Sequence, residues 1–175
     1  MFRENLPIGV LNEDKVILYD KDVGRKFHEE NHYGEYDKQG NLVLSSVEAL
    51  YLVDKGRLRV LDKGGKELCV NELVLHFTKY DPNFWIKYLV YSDLRRRGYV
   101  IKWGTSTLAL YRRGADPDYE ASKYIVYVIT EGRKLDFKEL ERISDQARRL
   151  RKELILAVVD RQGEIAYYTV NTLSL

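Results

Sequence analysis

The chain is poor in sulfur, histidine and long apolar runs, and each shortage excludes something. A single cysteine, Cys69, has no partner in the sequence. No intrachain disulfide framework is therefore available, and a zinc site would have to be gathered from Cys69 and scattered His or carboxylates, so neither a metal nor another cofactor is expected. The longest stretch without a charged residue, Ile165 to Leu175, falls far short of the roughly 20 apolar residues of a membrane span. Met1-Phe2-Arg3-Glu4-Asn5 leads into no apolar run of the signal-sequence kind, and a cytoplasmic protein is expected. Neither charge sign dominates: 29 Lys+Arg against 27 Asp+Glu leave +2. Any nucleic-acid affinity must then come from local clusters of Lys and Arg.

What remains is globular. With 175 residues, 45% of them hydrophobic, one ordinary domain or two small ones can form a core. Charged residues make up 32%, above the usual quarter, while oxidisable Met and Cys are nearly absent, a pattern also met in thermophilic proteins. The first half reads as short strands and helices. Lys15 to Tyr19 is strand-like, and Ser45-Ser46-Val47-Glu48 has capping-box spacing for a helix over Val47 to Lys55, ended by Gly56. Arg57 to Leu61 alternates as a strand, 62–66 is a glycine turn, and a short helix comes next near Asn71 to Thr78. Pro82 biases Asp81 away from helix and Asn83 can cap the next element, so the domain boundary is placed there.

The second half is more regular. Apolar residues recur at helical spacing from Phe84 to Leu94, ending in Arg95-Arg96-Arg97-Gly98. Tyr99–Trp103, Thr107–Tyr111 and Tyr124–Ile129 are rich in β-branched and aromatic residues. Asp136, three residues before Glu139, opens a helix through Leu150, and two more strands lie at Leu154–Val159 and Ile165–Val170 across the turn 160–164. The expected fold is an α+β N-terminal domain, 1–80, followed by an α/β C-terminal domain, 84–175, with a mixed central sheet flanked by helices.

Two clusters bear on function. Cations at the end of a helix, as in Arg95-Arg96-Arg97, offset its dipole, which is a structural reading of that run. Between Phe137 and Lys152 six basic residues, including Arg148, Arg149, Arg151 and Lys152, outnumber three acidic ones. Such a face suits an RNA backbone, and it equally suits an unliganded helix surface. His28, His32 and His76 all precede the boundary, so the second domain has no histidine to serve as proton carrier.

Three runs carry a likeness to a known family: Lys87 through Val100, then Leu110-Tyr111-Arg112-Arg113-Gly114-Ala115, then Arg151 through Asp160. Together, with looser agreement at His32-Tyr33-Gly34 and at Leu44 through Val53, they resemble archaeal tRNA-splicing endonuclease subunits over nearly the whole chain. The resemblance implies a restriction-endonuclease-like second domain. It also implies cleavage of precursor tRNA at a bulge-helix-bulge element by a Tyr, His, Lys triad, leaving a 2′,3′-cyclic phosphate. Tyr111 falls at the tyrosine position and Lys152 at the phosphate-stabilising lysine. The general-acid histidine lies ten residues after the tyrosine, and there this chain has Ala121.

A second departure precedes Tyr111, where Trp103 to Ala109 is shorter than in active members and lacks their Lys-Tyr-Gly-Ala-Asp-Phe segment. An engineered knockout would not also shorten a neighbouring loop, so the two departures together imply a naturally degenerate structural subunit. Its expected partners are a catalytic subunit, in an α2β2 heterotetramer, and precursor tRNA. By the same resemblance Asp160 and Glu164 match an acidic loop that docks into a neighbouring subunit. The last strand, with Ile165, Tyr167, Tyr168 and Val170, matches the strand that pairs across a dimer. Arg148, Arg149 and Arg151 are the expected RNA contacts. The rival expectation is a self-sufficient nuclease in which Tyr111 and Lys152 borrow an acid such as Glu120 or a first-domain His.

Overall fold

The computed structural model describes residues 6–103 and 107–171. Its contacts divide the chain into two compact units, Met1–Tyr88 and Leu89–Leu175. The division falls inside a helix, α4 (Phe84–Arg96), rather than at Asp81–Asn83. The sequence break does start that helix: Asn83 N donates to Asp81 Oδ1 at 2.9 Å and Phe84 N to Asp81 O at 2.9 Å. Aromatic packing explains the later division, because Phe84 lies 5.2 Å from Phe77 and stacks on Tyr88, so the first turn of α4 joins the first core.

The first unit holds a six-stranded sheet with β1 (Ile8–Asn12), β2 (Lys15–Leu18), β3 (Glu35–Tyr36), β4 (Leu42–Ser45), β5 (Arg59–Leu61) and β6 (Glu67–Leu68). Their order is β3-β4-β2-β1-β5-β6, and only β1 and β5 run parallel. Alternation drives the core, with Leu11, Val16, Leu18, Leu42, Leu44 and Val60 buried. Three helices pack with it: α1 (Lys21–Asn31), capped by Asp20, then α2 (Ser46–Asp54) and α3 (Val70–Thr78). The capping box at Ser45 and Glu48 forms as its spacing predicts. Buried Glu48 also accepts from Gly34 N at 2.9 Å. Position 34 needs glycine: its φ is +63°, and a Cβ there would stand 2.7 Å from Val43 O.

The second unit is a five-stranded mixed sheet. Its strands are β7 (Ile101–Trp103), β8 (Leu108–Leu110), β9 (Tyr124–Thr130), β10 (Glu153–Val159) and β11 (Ile165–Val170), ordered β11-β10-β9-β8-β7. Only β9 and β10 are parallel, and α5 (Phe137–Arg149) makes their crossover. Its Ile143 and Ala147 pack with Ile125, Tyr127, Ile129 and Leu154. On the other face β11 is tied to α4, since Tyr167 sits opposite Ala157 and its hydroxyl donates to Asp93 Oδ2 at 2.8 Å. Helices thus flank both faces. Among the described residues no helix is long and apolar enough to cross a membrane.

Candidate functional site

Sheet register brings the sequence-predicted residues to one end of the second unit. Leu110 pairs with Tyr124, and Tyr124 with Glu153, forming one row across β8, β9 and β10. Tyr111 is the next residue after that row and Lys152 the residue before it, so both leave the sheet at the same end. At the usual strand spacing of about 4.8 Å, two strands apart, their backbones lie roughly 10 Å from each other. Tyr111 is half-buried, and its N–H donates to Val100 O at 2.9 Å.

Lys152 reaches across to the loop ahead of β9, where its ammonium donates to Ser122 Oγ. Ser122 is 4% exposed. Its neighbour is exposed Ala121, the position where the resemblance expects a proton donor. The register therefore brings residues 111 and 152 to one sheet end, where the Lys152 ammonium meets Ser122 beside the methyl group of Ala121. A methyl group has no proton to give, so this arrangement can hold an anion beside Lys152 without protonating a leaving oxygen. Nothing in the sequence singled out Ser122; thirty residues separate it from Lys152, and only the strand register joins them.

The same end is basic. Arg148, Arg149 and Arg151 are exposed at the close of α5, with Arg148 3.4 Å from Asp145. Arg148 and Lys152 help to line a shallow cavity of about 230 Å³. Lys123 pairs with Glu153 at 3.1 Å, and Tyr124 first and Glu153 second hold its pKa above the ordinary lysine value. The segment before Tyr111 that the resemblance reads as shortened includes residues 104–106, which lie outside the described residues.

The histidines serve the first unit. His28 Nδ1 lies 3.0 Å from Tyr33 O, and its ring packs on Tyr36. His76 Nε2 meets Glu13 O at 2.7 Å. His32, at φ 57°, closes the C-terminus of α1. No group of three or more His, Cys, Asp or Glu among the described residues is placed to hold a metal.

At the opposite end of the sheet, Asp160 and Glu164 have different surroundings. Asp160 Oδ1 accepts from Gln162 N at 2.9 Å and Glu164 N at 2.8 Å, so this carboxylate builds the β10–β11 turn. Glu164 is exposed. β11 is an edge strand: Tyr168 is 57% exposed, Ile165 and Val170 are half-buried, and Tyr167 points to Asp93. The Arg run that closes α4 has a specific partner besides the helix dipole, because Asp93 pairs with Arg96 and with Arg97, each at 2.8 Å.

Residues 8–74 match the family model described as the tRNA intron endonuclease N-terminal domain, and 84–167 match its catalytic C-terminal domain. The chain belongs to the tRNA intron endonuclease family. Similar proteins include the tRNA-splicing endonuclease of Pyrococcus furiosus, 39% identical over 163 residues that cover 91% of this chain and 92% of that one. That of Methanococcus vannielii is 39% identical over 168 residues, covering 94% and 93%. A third, from Methanococcoides burtonii, is 33% identical over 154 residues, which span 88% of this chain but 43% of the relative.

Proposed function

We propose that this chain is the structural, non-catalytic subunit of a tRNA-splicing endonuclease, supporting and positioning a catalytic partner on precursor tRNA in an α2β2 assembly of the cytoplasm. One observation carries the reading: Ala121 stands beside the Ser122–Lys152 contact at the sheet end that also holds Tyr111. RNA cleavage by an attacking 2′-hydroxyl needs a base, an acid for the leaving oxygen and a cation for the phosphate. Here a phenol and an ammonium remain, while the acid position carries a methyl group. His28 and His76 contact backbone carbonyls of the first unit, and His32 ends α1 through its backbone.

Assembly rests on other residues. The exposed Glu164, with the turn that Asp160 builds, forms the docking loop, and β11 offers an unpaired edge with Ile165, Tyr168 and Val170 alongside. Tyr167 contributes by fixing that strand to α4. Arg148, Arg149 and Arg151 face the RNA. Mixing tests the reading. The chain alone should leave precursor tRNA intact, and adding a family member that has His at the Ala121 position should give cleavage that depends on both chains. Replacing Tyr111 by Phe in this chain should change that cleavage less than about twofold. Robust cleavage by this chain alone, abolished by Tyr111→Phe, would instead establish the self-sufficient enzyme.

A further inference from the structure

The loop from Arg112 to Ser122 joins the end of β8 to the start of β9 and carries Tyr119, which is 89% exposed. No other large apolar side chain among the described residues is as exposed. Tyr119 is nonetheless held in a defined turn. Asp116 O accepts from Tyr119 N at 3.1 Å and from Glu120 N at 2.8 Å, while Asp116 Oδ1 accepts from Asp118 N at 3.0 Å. Glu120 Oε1 lies 3.4 Å from Asp116 N. The acidic residues around Tyr119 thus shape the turn that lifts its ring into solvent.

Cations and further rings stand at the feet of this loop. Arg112 and Arg113 are exposed, and the Arg113 guanidinium lies 4.9 Å from the centre of the Tyr99 ring. At the other foot Lys123 Nζ lies 4.8 Å from the Tyr124 ring. Among the described residues Arg112 has no ion pair. Aromatic faces interleaved with cations are the pattern that binds single-stranded nucleic acid, where bases stack and phosphates are neutralised. A protein partner would need apolar neighbours around Tyr119. The loop offers little of that: Ala115 is buried, Pro117 is half-buried, Ala121 exposes a single methyl, and the exposed side chains directly beside Tyr119, Asp118 and Glu120, are charged.

We propose that this loop is a contact surface for unpaired nucleotides of an RNA, with Tyr119 stacking on a base and Arg112 and Arg113 meeting the flanking phosphates. The inference rests on the proposed role in precursor tRNA processing for its RNA, and not on any cleavage by this chain. A stacked base is uncharged, so Asp118 and Glu120 do not repel it, whereas the phosphates lie with the arginines.

The test measures fluorescence anisotropy of the full-length chain with two RNAs of equal length, a perfect duplex and one containing a three-nucleotide bulge, over a range of salt. The bulged RNA should bind more tightly. Tyr119→Ala should weaken bulge binding about tenfold and leave duplex binding unchanged. Tyr119→Phe should keep the bulge preference, because stacking needs only the ring. Arg112→Ala with Arg113→Ala should weaken both RNAs and flatten the salt dependence by about two phosphate contacts. Equal binding of the two RNAs, an unaffected Tyr119→Ala chain, or a Tyr119→Phe chain as weak as Tyr119→Ala would overturn the proposal. So would capture of the catalytic subunit that Tyr119→Ala abolishes while RNA binding persists, since that makes the loop a protein contact. Loss of the bulge preference with reconstituted cleavage still dependent on both chains would reject this loop's role and leave the structural-subunit reading standing.

Discussion

Lys152 donates from its ammonium to the hydroxyl of Ser122, the residue directly after Ala121. The two ends of this contact differ in burial, which makes their removal unequal. Ser122 is 4% exposed, whereas Lys152 is half-buried and can turn to water. Replacing Lys152 by Met leaves a buried hydroxyl without its donor, at about 1–3 kcal/mol. Ser122→Ala should cost less, because the freed ammonium is resolvated. Urea denaturation of both variants and of the double variant checks this, and the double should cost less than the sum. A Lys152→Met chain as stable as the parent would show that the contact contributes nothing to the fold.

Tyr167 and Asp93 give a pH dependence whose sign can be worked out. Burial alone would raise the Asp93 pKa, but donors from Tyr167, Arg96 and Arg97 outweigh it and hold the carboxyl below its ordinary 3.8. A depressed carboxyl contributes stability above its unfolded pKa and loses it as pH falls through the folded one. Tyr167 is shifted the other way: burial first, then Asp93, pushes its phenol far above the ordinary 10.0. Its contribution is complete below that value and declines as alkali ionises the unfolded chain. Tyr167→Phe should therefore cost about 1.5–3 kcal/mol at neutral pH. It should also move acid unfolding to higher pH and remove part of the loss above about pH 10. Melting curves from acid to alkali decide it, and parallel curves for the two chains would count against the Asp93 assignment.

Local signals were legible in the sequence because local chemistry sets them. The caps at Ser45 and Asp136, the glycine after Arg97 and the aromatic run at Tyr124 fall where their elements begin or end. Helix α1 has just two large apolar residues, Val23 and Phe27, four apart, too few for its period to be told from a loop. β1 contains Gly9, which lies close against Val16 and pairs in a parallel register with β5, a non-local arrangement that no window reveals. The Tyr111 and Lys152 positions came from motifs. Their shared sheet end, and the buried Ser122 between them in chain order, depend on register across three strands. The Asp93–Tyr167 bond links residues 74 apart. The Arg96 and Arg97 pairs, by contrast, were readable at helical spacing from Asp93.

Glu48 supports a prediction in the first unit. Its carboxylate, in a residue 4% exposed, accepts from Ser45 N at 2.9 Å, Ser45 Oγ at 2.7 Å and Gly34 N at 2.9 Å. It therefore caps α2 and fastens the turn before β3 at once. Glu48→Ala removes an acceptor shared by two backbone groups and should cost about 2–4 kcal/mol by thermal or urea unfolding. Glu48→Gln retains one carbonyl oxygen and should cost less. Equal losses would mean that both carboxylate oxygens are needed, and that one amide oxygen of the same side-chain volume cannot replace them.

Asp160 and Glu164 share one turn and should separate in experiment. Asp160 braces the turn through two backbone N–H groups, and its own N–H donates to Glu164 O at 3.0 Å. Asp160→Ala removes the acceptor and should lower stability by about 1 kcal/mol. Asp160→Asn keeps an oxygen suited to the same turn and should restore most of that loss. Glu164, exposed on the rim, should behave in the opposite way. Glu164→Gln should leave the melting temperature unchanged and weaken binding to the catalytic partner several-fold at low salt, an effect that fades as ionic strength rises. Intact-complex mass measurement and titration against the partner read these outcomes. If assembly tolerates both Glu164→Gln and Asp160→Asn at low salt, the acidic turn is a hairpin connection only, and docking must run through the edge of β11.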